Sequence, residues 1–138
     1  MTRGRTRTLV LALALGAGAT ACSDDGGSDE ELCALVEDTT AYDGRFGEGL
    51  DPTDTERALE QLESARADLT RLRAAAPSAV DDALDDELAY VDALIEVLET
   101  VDPTDPVVVV NAVNALEEER AAADVAALEL QAWAEETC

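Results

Sequence analysis

The side chains that could do chemistry in this chain are three cysteines, at positions 22, 33 and 138, and 32 carboxylates; there is no histidine, and all nine basic residues are arginine. Most catalysis is excluded by that inventory. A serine, threonine or cysteine nucleophile is ordinarily activated by a neighbouring histidine or lysine, and a zinc site draws on histidine or closely spaced cysteines. No Cys-x-x-Cys spacing occurs. Two carboxylates alone can hydrolyse a glycoside when they stand about 5 to 9.5 Å apart across a sugar-binding cleft. One Trp, two Tyr and one Phe leave little to line such a cleft, so the sequence points away from an enzyme and no cofactor is expected. Binding of a hard cation such as Ca²⁺ by oxygen ligands is the chemistry that abundant carboxylates do allow. Asp-Pro-Thr-Asp occurs twice, and convergence of Asp51, Asp54, Asp102 and Asp105, with Glu48 nearby, would make a cation site at one end of the molecule. The Asp-x-Asp-x-Asp-Gly spacing of a calcium loop is absent. The same four residues read more simply as turn and helix-capping signals.

Cys22 has a different context. Arg3, Arg5 and Arg7 form a basic start, residues 9–21 are apolar and end in Ala19, Thr20 and Ala21, and Ser23, Asp24 and Asp25 follow the cysteine. That order is a secretory signal peptide. Its 13 apolar residues are too few to cross a bilayer, which takes about 18 or more. Ala-Thr-Ala-Cys followed by Ser-Asp-Asp resembles the lipobox and polar tether of bacterial lipoproteins, with Ala19 where leucine is usual. The resemblance covers residues 1–28. It implies that residues 1–21 are removed, that the Cys22 thiol carries a diacylglyceryl group, and that the remainder is held on the extracytoplasmic face of the cell membrane. The lysine-free composition, rich in Ala, Asp, Glu, Val and Arg, is similar to that of small secreted lipoproteins of high-GC actinobacteria. Ala-Thr-Ala also suits ordinary secretory cleavage, which would release a soluble protein. Cysteine arithmetic favours the lipid: acylation leaves Cys33 and Cys138 as an even pair, whereas simple cleavage leaves an odd thiol.

Charge bounds the partners. The chain carries −23, and loss of Arg3, Arg5 and Arg7 with the signal takes the remaining 117 residues to −26. A polyanion repels nucleic acid and anionic lipid headgroups, so nucleic-acid binding is excluded and a soluble monomer is expected. Partners drawn by this field would be cations or basic proteins.

Residues 22–28 carry no apolar side chain after the cysteine and read as a flexible tether. Residues 29–138 read as one helical domain. Ser28 and Glu31 are spaced as a capping box for a short first helix carrying Leu32, Leu35 and Val36. A second helix follows a cap at Thr53 or Asp54, with Ala58, Leu62, Ala65, Leu69, Leu72 and Ala76 at bundle spacing, and Pro77 ends it. Ser78 and Asp81 predict the start of a third helix, with Val80, Leu84, Leu88, Val91, Ile95 and Leu98 inward. Asp105 and Pro106 predict a fourth, with Val109, Val113, Leu116, Ala123, Ala127, Leu130 and Ala134 inward as far as the C-terminus. The β-branched residues 107–110 also suit a strand, but no other segment alternates to pair with it. The expected fold is therefore all-α, an up-down four-helix bundle with a short first helix. An even number of helices returns the chain to its starting end, which brings Cys33 and Cys138 together as a disulfide.

Two further features need positions. Tyr42, Arg45 and Phe46 lie among Gly44, Gly47 and Gly49, where an aromatic and a cation meet on one connector; they read as a partner-binding loop or as a lid over the core. Asp81, Asp82, Asp85, Asp86 and Glu87 read as a solvated acidic face of the third helix, and Trp133 as core packing near the end of the fourth.

Overall fold

The computed structural model describes residues 29–38 and 50–138. The expected signal peptide at 1–21, Cys22, the expected tether at 22–28, and Tyr42, Arg45, Phe46 and Glu48 of the first connector lie outside the described residues. Among the described residues every regular element is helical: α1 (Asp29–Asp38), α2 (Thr55–Ala75), a 3₁₀ turn (Ser78–Val80), α3 (Asp81–Thr100), α4 (Pro106–Asn114) and α5 (Glu117–Thr137).

Local chemistry sets several of the ends. The Asp54 carboxylate accepts the backbone N–H of Arg57 at 3.1 Å and caps α2. Ala76 precedes a proline and turns extended, at φ −68° and ψ 141°, which stops that helix. Asp105 caps α4 by accepting the N–H groups of Val107 and Val108, with Pro106 in the first turn. This cap carries the four valines into a helix rather than a strand. The third helix departs from expectation at its start. A 3₁₀ turn comes first, Val80 occupies the cap position, and neither it nor Pro77 supplies a side-chain cap. Asp81 and Asp82 in the first turn of α3 instead set negative charge against the helix dipole.

The expected single fourth helix is two, which makes five α-helices among the described residues. Ala115 and Leu116 fold tightly, with Ala115 N–H on the carbonyls of Asn111 and Ala112 and Leu116 N–H on Val113. Leu116 leaves helical geometry at φ −87° and ψ 34°. The five valines and two asparagines of α4 are weak helix formers, whereas Glu117, Glu118 and Glu119 are favoured in the first turn of a new helix. Breaking here satisfies both.

Helix α3 packs along both α2 and α5, α4 packs on α3, and α1 lies against α2 and α5. Pairs between α2 and α3 fix their relative direction. Arg73, near the end of α2, reaches Asp81 at 2.6 Å and Asp85 at 2.7 Å; Arg66, two turns earlier, reaches Asp92 at 3.2 Å, two turns later on α3. The two helices are therefore antiparallel. These pairs are substantially exposed, so each contributes at most about 1 kcal/mol, and burial carries more. Leu69, Leu72, Leu84, Val91 and Leu94 have no exposed surface, and sequestering a side chain of that size contributes about 1.5 to 3 kcal/mol. All six expected inward residues of α2 are buried. Leu88, Val113, Leu116 and Trp133 are only partly buried against the core.

Cys33 and Cys138 form a disulfide with Cα atoms 5.7 Å apart, joining α1 to the end of α5 across 105 residues of sequence. A 10-residue helix is too short to persist alone, so α1 depends on this link and on the buried Leu32. Replacing both cysteines by serine should cost about 2 to 5 kcal/mol in urea unfolding and should raise amide exchange first in α1. An unchanged midpoint with unchanged exchange in α1 would refute that dependence.

Candidate functional site

The two Asp-Pro-Thr-Asp segments have the same local structure. Asp51 Oδ1 accepts the Thr53 N–H at 2.9 Å and the Thr53 hydroxyl at 2.6 Å; Asp102 Oδ1 accepts the same two groups of Thr104 at the same distances. In each segment the last aspartate donates its N–H to the carbonyl of the first, Asp54 to Asp51 at 3.1 Å and Asp105 to Asp102 at 3.3 Å. It then caps the following helix. Leu50, Asp51 and Pro52 line a hollow of about 120 Å³ together with Leu98, Val109 and Val113, so the first turn lies beside α4.

The four carboxylates expected as cation ligands thus each accept hydrogen bonds from their own turn or helix. Among the described residues, no group of three or more His, Cys, Asp or Glu side chains is arranged to hold a metal ion. Hydrogen bonding favours the charged form of the two turn aspartates. The Thr53 hydroxyl, then its backbone N–H, holds the Asp51 carboxyl below the ordinary 3.8, and Thr104 does the same for Asp102.

The acidic face of α3 is not uniformly solvated. Asp85 takes two bonds from Arg73, from Nε at 2.7 Å and from Nη2 at 3.3 Å, while Nη1 binds Asp81 at 2.6 Å. The Arg73 hydrogen bond lowers the Asp85 carboxyl below its ordinary value and raises the guanidinium in turn. Glu87 is fully buried, the one charged residue so placed among the described residues, which corrects its assignment to the solvated cluster. Its position was readable. Val80, Leu84, Glu87, Val91, Leu94 and Leu98 recur at alternating spacings of four and three, the period of a helix seam, and Glu87 stands in that seam. One turn on, the buried Tyr90 lies at a cleft of about 310 Å³ shared with Val113, Asn114, Glu117 and Arg120, where α4 breaks into α5. The cleft offers an amide, a carboxylate, a guanidinium and a phenol, groups suited to hydrogen bonding.

Among the described residues, the large apolar side chains left exposed are confined to two helices: Val107, Val108 and Val110 on α4, and Val125 and Leu128 on α5. Sequence reading assigned these helices a single inward stripe and missed the outward one. Comparison with protein-family models, with curated proteins and with solved structures gives no match.

Two measurements bear on the acidic turns. A carboxyl lowered in the folded state contributes stability that is present above the unfolded value near 3.9 and is lost as pH falls through the folded value. An Asp51→Asn, Asp102→Asn variant should therefore melt below wild type at neutral pH, with the gap closing below about pH 4. Constancy of the gap to pH 2 would overturn the assignment. Because each carboxylate serves its own turn, Ca²⁺ and Mg²⁺ at matched ionic strength should raise the wild-type melting midpoint equally; a calcium preference lost on replacing Asp51 and Asp102 by alanine would instead establish a shared cation site.

Proposed function

We propose that this chain is a membrane-anchored extracytoplasmic lipoprotein that acts without catalysis, by binding or supporting a partner in the cell envelope. The observation that carries this reading is the Cys33–Cys138 disulfide. Structural disulfides persist in oxidising compartments outside the cytosol, and this pairing leaves Cys22 as the one cysteine available for a lipid. The basic start with Arg3, Arg5 and Arg7, the apolar residues 9–21 and the Ala-Thr-Ala-Cys junction support the same route. No helix among the described residues is long and apolar enough to cross a membrane, so attachment in this reading falls to the acyl group.

The finer architecture belongs to the same proposal. Counting α4 and α5 as one broken fourth helix, the domain is an up-down four-helix bundle. The disulfide then ties its first helix to its last at the tethered end, and the two Asp-Pro-Thr-Asp turns stand at the far end. Binding is supported by exposed valine and leucine side chains on α4 and α5 of a protein otherwise covered in carboxylates.

Detergent phase partitioning tests the anchor. Wild-type protein expressed in a bacterial host should enter the detergent phase, and Cys22→Ser should move it to the aqueous phase or the medium. Equal partitioning of the two would refute the lipoprotein reading, and recovery of wild type from the medium, cut after Ala21 without an acyl group, would replace it with a soluble secreted protein.

A further inference from the structure

We propose that the outer face of α5 is a docking seam for an amphipathic helix of a basic partner protein, an inference that rests on the partner-binding reading above and names its surface. The sequence of α5 carries two apolar stripes. Ala123, Ala126, Ala127 and Leu130 are buried and belong to the domain's own packing. Ala121, Val125, Leu128 and Ala132 are all exposed, and they follow one another at spacings of four, three and four. Val125 is 61% exposed and Leu128 67% exposed. A surface helix needs one apolar face to join its bundle; the second stripe has the d, a, d, a spacing by which one helix takes up another.

The charges beside that stripe choose the occupant. With Val125 at an a position and Leu128 at d, Asp124 falls at g and Glu129 at e beside the stripe, Glu117 at g and Glu136 at e stand just beyond its two ends, all four exposed, and the remaining e and g positions are the uncharged Ala122 and Gln131. The one cation of α5, Arg120, falls at c, off the seam. Residues at e and g form the interhelical ion pairs that set partner choice. An acidic set at both flanks matches a helix with lysine or arginine at its own e and g positions and apolar residues between. A second copy of this chain would set carboxylate against carboxylate, and an anionic lipid surface would do the same, so both are disfavoured by the field that favours a basic helix. The seam ends where Glu118 and Glu135 take the next a and d positions, so the contact spans about two heptads, small enough for a reversible encounter.

The test in solution uses the full protein and a synthetic peptide of about three heptads with leucine at a and d and lysine at e and g. Calorimetry should detect binding, with amide shifts in NMR confined to residues 117–136. Leu128→Glu, at an exposed position that leaves the fold intact by circular dichroism, should weaken binding by about tenfold or more. The pair D124K and E129K should weaken it as well and should admit a peptide with glutamate at e and g. Equal binding by a scrambled lysine peptide, shifts on another face, or self-association of the protein in sedimentation would overturn the seam. In intact cells, a photo-crosslinking residue at position 128 should join the protein to a partner whose crosslinked segment is a basic helix. Crosslinks only from a control position at Glu63 on α2 would overturn the α5 surface and leave the partner-binding reading standing; crosslinks from neither would remove both.

Discussion

Helix α3 is enclosed by α2 on one side and α5 on the other, and the rest of the domain depends on that double burial. A helix with one neighbour needs one apolar stripe; one held between two needs a wider one. Eight of its side chains, from Ala83 to Leu98, are buried. The neighbours can be correspondingly lean: α2 and α5 present alanines beside their leucines, and small residues at a helix contact shorten the interaxial distance. This is how a chain with few aromatic residues builds a core of leucine, valine and alanine. The enclosure also accounts for Glu87. It stands in the seam of a helix covered by two neighbours and is fully buried.

Against that core stands the charge. With −26 on residues 22–138, carboxylates crowd one another and self-repulsion opposes compaction. The structure moderates this locally. Arg73 gathers Asp81 and Asp85, Arg66 meets Asp92, and Arg71 meets Asp68 at 2.6 Å. The turn aspartates accept hydrogen bonds from threonine and backbone N–H groups, which disperse their charge without a counterion. Part of the acidity therefore has structural work, in turns, caps and rungs between helices. Other carboxylates are exposed along several helices, Asp124 and Glu129 beside the outer stripe of α5 among them.

Much of the domain was legible without coordinates, because the features that show it are local. Asp54 and Asp105 cap helices by short-range hydrogen bonds, Pro77 forces the preceding residue out of helical geometry, and the stripe of α2 repeats every three or four residues. The pairing of Cys33 with Cys138 followed from an even number of helical passes together with a third cysteine assigned elsewhere, and the disulfide is formed. At the candidate sites the same locality cut the other way. The repeated Asp-Pro-Thr-Asp segments could be named from sequence, but whether their carboxylates converge is a question of distance in space.

The sequence by itself determined the helical class, the capped starts of α2 and α4, the stop of α2 before Pro77 and the inner face of α2, since propensity, capping and periodicity act within a few residues. Only the tertiary structure decided which helix is central, that Glu87 is enclosed, that the expected fourth helix divides at Ala115 and Leu116, and that α5 keeps a second apolar stripe in solvent. The physical reason is common to all four. Periodicity states which residues share a face of a helix, but the number of neighbours covering that helix is set by packing. An apolar stripe reads the same in sequence whether another helix lies against it or water does.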